Sequence, residues 1–370
     1  MISREEVKGL LDKYDNSELH IGVLGGHSAL DVARGAKKLG FKTVVVVRKD
    51  RAKTYTKYYK NLFDETILVD DFNDVSSPEV VARLQSLNTL FVHNRYFWVY
   101  CDYDRIENDF KVPILGTRDM VRLEERDVPK NQYYLLEKAG IRLPKMFASP
   151  SEIDRLAIVK VSEAARGYER AFFFCQDAES YKKKSDELLA EGGITKEALD
   201  SAVIEEYIVG AQINFNYFYS PLTDELELMG TDTRRQTNLD GLLRLPADMQ
   251  LEVLKYLKPK LVETGHMAVT TKESILEKAF DIGEKFVSAC KREHPIGIIG
   301  AFALQGAVAS YDGHEDIAIF DVSMRIPGSP GTMFTPHTAY RYGDPISYGE
   351  RIALEVKKAL QMGKLDVICS

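Results

Sequence analysis

The chain has 370 residues, 45% of them hydrophobic and 28% charged, which is enough for two or three domains with a large buried core and is not the composition of a disordered chain. Its net charge is −7 and its pI is near 5.7, with Lys and Arg scattered rather than clustered. That argues against a nucleic-acid or anionic-membrane binder and for a small-molecule partner. The first residues, MISREEVKGLLDKYDN, carry charges every few positions, and the longest aliphatic run, Val44 to Val47, is far too short to cross a bilayer; a cytoplasmic protein is expected.

Ser3 and Glu6 form a capping box for a first helix. Strands are expected at His20 to Leu24, Thr43 to Val47, Thr66 to Val69 and Thr89 to Val92, with a helix from Ser28 to Leu39. This alternation predicts an open parallel sheet with helices on both faces, a Rossmann-like domain over residues 1–120. In the turn LGGHSALD, Gly25 and Gly26 permit a tight bend, and the helix start behind them favours anions. From about Arg118 the pattern becomes α+β. Helical stretches at Met120 to Glu124 and Lys130 to Lys138 precede strands at Ala157 to Val161 and Ala171 to Cys175, a helix at Ala178 to Ala190, and a strand at Ala202 to Ile208. AQINFNYFYS and DELELMGTDTRRQT alternate like antiparallel strands about a PLTD turn, and the former offers aromatic residues to an interface. A helix at Lys272 to Arg292, strands at Gly300 to Val308 and Ile317 to Val322, and a helix at Tyr348 to Gln361 complete the chain. Cys101, Cys175, Cys290 and Cys369 contain no CxxC pair and read as reduced, buried thiols.

Four features of the second half carry chemistry. Lys160 ends a strand before a loop. IEEYIVG offers Glu205, Glu206, Tyr207 and Ile208 as an extended segment whose backbone and carboxylates suit an adenine ring. FALQG presents Gln305. DVSMR places Asp321, Ser323 and Arg325 on one strand face, a combination suited to a magnesium ion beside a phosphate. Their order resembles that of the ATP-grasp enzymes. With MISREEV, VLGGHSAL, GAKKLGF, YFYSPLTDELELMGTD and NLDGLLRLPA added, the likeness runs end to end and is to the archaeal PurP family of formate-dependent 5-formaminoimidazole-4-carboxamide ribonucleotide (FAICAR) synthetases.

That resemblance implies a Rossmann-like pre-ATP-grasp domain at 1–120 and an ATP-grasp domain at 121–370, with a central subdomain at about 150–208. It implies a ligase of purine (IMP) biosynthesis that uses ATP and magnesium to join formate to aminoimidazole carboxamide ribonucleotide (AICAR) through an acyl phosphate, working as a homo-oligomer. Lys160, Arg166, Gly167, Glu205, Glu206, Tyr207, Ile208 and Gln236 are then expected at ATP. His27, Arg95, Asn238 and His266 are expected at the nucleotide substrate, Gln305 and Asp321 at the metal, and Arg325 with Lys160 in catalysis.

Several positions depart from the family pattern. The loop SEAARGYER holds Gly167 alone where several glycines are expected, together with Glu163 and Glu169, and so makes a poorer cover for phosphate. Gln305 stands where an acidic ligand is common, and Gln236 where a glutamate is expected. Arg95 replaces a serine and His266 an asparagine, while RIPGSPGT lengthens the turn after DVSMR. The departures gather at the ligand sites, so three readings stay open: the family's reaction, a paralogue joining another acid to another amine, and a nucleotide-binding subunit without turnover.

Overall fold

The apolar runs of the first 115 residues form a five-stranded, all-parallel sheet in a computed structural model of the chain. Its strands are β1 (His20–Leu24), β2 (Lys42–Arg48), β3 (Glu65–Val69), β4 (Thr89–Val92) and β5 (Ile114–Leu115), in the order β3-β2-β1-β4-β5. The structure describes residues 1–126, 128–161, 171–236, 238–257, 262–311 and 313–370. Strands β1 and β4 are buried along their whole length, as a parallel sheet covered on both faces requires. Helix α1 (Arg4–Leu11) starts on the Ser3–Glu6 capping box, α2 (Ala29–Lys38) follows β1, and α3 (Pro78–Ser86), for which no element was expected, precedes β4. The chain moves outward from β1 through β3 and then returns to lay β4 on the other side of β1. The carboxyl ends of β1 and β4 therefore flank a topological switch point, where such sheets take ligands.

At that point the turn after β1 differs in detail from expectation. Neither Gly25 nor Gly26 takes a positive φ; Ser28 does, at 63°. The glycines are needed for close approach instead, since a Cβ on Gly26 would stand 2.3 Å from the Tyr96 ring and one on Gly25 2.8 Å from the Val47 side chain.

Two antiparallel sheets follow. The first comprises β6 (Met146–Phe147), β7 (Ala157–Val161), β8 (Ala171–Cys175) and β9 (Val203–Glu206), in the order β6-β9-β7-β8. Ala157, Val159 and Val161 enter a core with Phe173 and Ile204, which turns Lys160 to the opposite face. The second comprises β10 (Ala211–Ser220), β11 (Glu225–Gln236), β12 (Glu263–Ala268), β13 (Gly300–Tyr311) and β14 (His314–Ser323), in the order β12-β11-β10-β13-β14. Phe215 pairs with Leu304 and Tyr217 with Phe302, giving an apolar face in one core with Phe286 of the helix Glu273–Glu293; the Tyr217 hydroxyl donates to the Ala279 carbonyl of that helix at 2.7 Å. The other face is polar. Asn214 lies between Gln305 and Asp232, Gln305 faces Asp321, and Arg234 faces His266.

Strand β10 is the centre of this sheet, and its residues from Ile213 to Ser220 are buried within the chain. NFNYFYS is thus core and corrects the expectation that it supplies an interface. The last long helix, Tyr348–Met362, comes back to the first layer and packs on α2. Gly349 and Gly35 let the two backbones touch, for a Cβ on Gly35 would lie 2.0 Å from the Gly349 carbonyl carbon. All four cysteines are free and buried. Among the described residues no helix is long and apolar enough to cross a membrane.

Candidate active site

The polar face of the second antiparallel sheet lies against the switch point of the parallel one, and a cavity between them is lined by His27, Arg95, Asn216, Arg234, Glu263 and His266, with Gln305, Ser323 and Arg325 at the β13–β14 side. Local structure fixes the switch-point groups. The Asn94 amide donates to the carbonyls of Leu24 and His27, both at 2.8 Å, and its oxygen accepts from the Phe97 N–H, capping α4 (Arg95–Val99). Ser28 Oγ donates to the Pro327 carbonyl at 2.8 Å, which brings Gly328 flat against the His27 ring; a Cβ there would stand 2.0 Å from Nδ1. The ring stacks on Tyr96 and points Nε2 toward Glu263, 3.9 Å from Oε1. Burial holds the His27 imidazole below its usual pKa, with Arg325, His266 and Arg95 acting in the same sense against Glu263. Arg95 is exposed at the cavity wall and makes no ion pair among the described residues.

Opposite, Asp232 is fully buried and accepts from Asn214 at 3.0 Å, from Asn216 at 2.6 Å and from His266 Nδ1. His266 Nε2 meets Glu263 Oε1 at 2.9 Å. Burial alone would depress the His266 imidazole, but the two carboxylates that clasp it outweigh that and push its pKa up to about 9. Burial would likewise raise Glu263, yet His266, Arg234 and His27 hold it at about 2. At the far wall Arg325 is buried, with Glu124 3.7 Å away. Burial raises the Glu124 carboxyl and lowers the Arg325 guanidinium, each opposed by the other's charge.

The second part of the site surrounds Lys160. Its ammonium pairs with Glu205, whose other oxygen accepts from the Tyr133 hydroxyl at 2.9 Å. Burial and the neighbouring Arg126 depress the Lys160 pKa against the pull of Glu205. Arg126 lies over the Tyr133 ring. Arg234 joins the two parts. It donates to the Gln305 amide oxygen, stands 3.7 Å from Asp321 and 3.4 Å from Glu263, while the Gln305 amide nitrogen donates to Ser323 at 2.9 Å.

Among the residues singled out in the sequence, His27, Arg95, His266, Gln305 and Arg325 line one cavity, and Lys160, Glu205 and Asp321 gather next to it. Glu206 turns away, accepting from the Lys145 N–H at 3.1 Å. Tyr207 packs its ring on Phe174, and Ile208 is buried with Ala307, Ala309 and Ala318 as the chain crosses toward β10. Gln236 ends β11 two residues beyond Arg234, and Asn238 opens the short helix after it; neither lines the cavity. Arg166 and Gly167 lie outside the described residues. Glu124, Arg126, Tyr133, Asp232, Arg234 and Glu263 went unrecognised in the sequence.

The three-sheet architecture is that of the ATP-grasp ligases. Solved structures that share it include N5-carboxyaminoimidazole synthetase from Staphylococcus aureus (TM-score 0.58, 13% identity, covering 91% of this chain and 76% of that one). The IMP biosynthesis protein PurP from Thermococcus kodakaraensis aligns at a TM-score of 0.69 and 24% identity over 95% of this chain and all of that one. Two family models match, a protein of unknown function (DUF1246) over residues 21–147 and a domain of unknown function (DUF1297) over residues 180–370. Proteins named 5-formaminoimidazole-4-carboxamide-1-(beta)-D-ribofuranosyl 5'-monophosphate synthetase match end to end. Those of Methanococcus maripaludis strain S2 and Methanocaldococcus jannaschii are 39% and 38% identical over the full length of both chains, and that of Methanopyrus kandleri is 38% identical over 99% of each. The chain belongs to this family, PurP.

Proposed function

We propose that the chain is an ATP-dependent carbon–nitrogen ligase that forms FAICAR from AICAR, formate and ATP in purine biosynthesis. The observation that carries this reading is the junction at Arg234, which makes one continuous site of a lysine–carboxylate cluster suited to phosphate and a cavity suited to a polar acceptor; full-length relatives named as synthetases support it. A formate oxygen attacks the γ-phosphorus of ATP near Lys160 and Arg325, which balance the charge on the transferring phosphoryl group, and the bond from that phosphorus to the β,γ-bridging oxygen breaks to release ADP. The AICAR amine then attacks the formyl carbon, and phosphate leaves. Asp321 and Gln305, set opposite each other by register, offer the oxygen donors a magnesium ion takes when phosphates and water complete its shell, although Arg234 now holds both. Magnesium there would draw charge from the phosphate oxygens.

His27, Arg95 and His266 face the acceptor in this reading, and Glu205 with the backbone that runs on from it faces the nucleotide. The three separate sheets support a division at about residue 120, with the last helix crossing back. The reading includes a cytoplasmic setting and a homo-oligomer, for which the exposed Leu243, Leu251 and Tyr256 are better candidates than β10. A second reading, a different anionic acceptor, is favoured by Arg95, whose guanidinium has no described counter-ion. ADP release measured with formate and AICAR, each omitted in turn, tests both: dependence on the two together is expected, and release that ignores AICAR points to the second reading.

A further inference from the structure

Beyond the residues the sequence suggested, the cavity holds a carboxylate built into an unusual position. Thr264 is an extra residue in β12, because Arg235 pairs with Gly265 while Gln236 pairs with Glu263. In a regular strand, residues three apart point to opposite faces; the bulge, with Gly265 at φ 154°, turns Glu263 onto the face of His266. There its Oε1 accepts from His266 Nε2 at 2.9 Å, while His266 is anchored through Nδ1 to the buried Asp232. The same oxygen stands 3.9 Å from His27 Nε2. That gap is too wide for a direct hydrogen bond and leaves space for a donor that touches both groups. Two acceptors, Glu263 Oε1 and His27 Nε2, thus face each other where the cavity wall is otherwise cationic, and the two N–H groups of a neutral primary amine are their complement.

We propose that Glu263 is a catalytic residue that holds the attacking amine and balances the charge on His27 as His27 takes the amine proton, and that His266 and Asp232 are positioning residues acting through it. This rests on the ligase reading above. The amine lone pair forms the bond to the formyl carbon, the bond from that carbon to the phosphate oxygen breaks, and phosphate leaves with the electron pair. The surplus amine proton ends on His27 Nε2, and the Glu263 carboxylate balances the imidazolium charge. Held at a low pKa, Glu263 stays an anion and His27, held below its usual value, stays a neutral acceptor until that step.

The test separates the two halves of the reaction. Formate activation is read by trapping the acyl phosphate with hydroxylamine, and amine transfer by FAICAR formation, in wild type, Glu263→Gln and His266→Asn. Glu263→Gln is expected to keep hydroxamate formation within about twofold and to lose FAICAR formation by about 100-fold, the scale of one preorganised charge that stabilises the transition state. His266→Asn is expected to lower kcat for transfer about tenfold with KM for ATP unchanged, and Glu263→Asp to recover part of the loss. A Glu263→Gln enzyme that loses both halves equally, or neither, overturns the inference and leaves the ligase reading standing. A wild type inert in both halves overturns both.

Discussion

The two ends of the site hold their charges in opposite ways. At the end proposed for the acceptor, His266 lies between two carboxylates that push its pKa up, and the buried Asp232 anchors it so that Glu263 is held at the cavity wall. At the phosphate end Lys160 spends its charge on Glu205, and Arg234 spends its own on Gln305 and Asp321. In the proposed reading a triphosphate entering there displaces interactions within the protein, whereas an amine enters the gap between His27 and Glu263, which no direct hydrogen bond spans. On the proposed function, the contrast teaches that one end is preorganised for its ligand and the other is neutralised until its ligand arrives.

The largest effect should come from Arg325→Ala, because on the proposed function this buried guanidinium acts on the transition state of phosphoryl transfer. Turnover should fall by about 100- to 1000-fold, read as kcat, with melting shifted far less; parallel loss of both would make Arg325 structural. Lys160→Ala should weaken nucleotide binding by about 1–3 kcal/mol in calorimetry. Unchanged affinity would mean that the Lys160–Glu205 pair never opens.

A pH series sharpens the acceptor end. The His266 pKa is raised from 6.5 to about 9, so its contribution to stability is complete below about 6.5 and is lost as the pH climbs through 9. Denaturation of the wild type should lose about 1–3 kcal/mol between pH 7 and pH 10 relative to His266→Asn, since a tenfold change in proton affinity is worth about 1.4 kcal/mol. Parallel curves would mean that the two carboxylates do not clasp a charged imidazole. The smallest effect is expected from Arg95→Ser, which should weaken AICAR binding by about 1 kcal/mol and leave ADP binding unchanged. Tighter AICAR binding would favour the second reading.

The contrast also explains what the sequence disclosed. Strands β1, β4, β10 and β13 are apolar or alternating and stand out by pattern, as does the order of Lys160, Glu205, Gln305 and Asp321. β12 does not, because ETGHMA is an edge strand with no buried residue and hence no apolar alternation. Its bulge also hides the pairing of Glu263 with His266, which spacing alone would place on opposite faces. α3 carried a readable signal, Ser77 as cap and Pro78 in the first turn. Glu124, Arg126 and Tyr133 reach the site from a distant stretch of chain, and only the tertiary fold brings them to Arg325 and Glu205.

The account's central claim is that formate is activated as an acyl phosphate at the junction of these two ends. Turnover with doubly ¹⁸O-labelled formate tests it most directly, read by mass spectrometry of the released phosphate and of FAICAR. One labelled oxygen in each product is predicted, since the formate oxygen that attacks phosphorus leaves with it and the other remains in the formyl group. Phosphate free of label would contradict the claim, for it would show that water rather than formate takes the phosphoryl group.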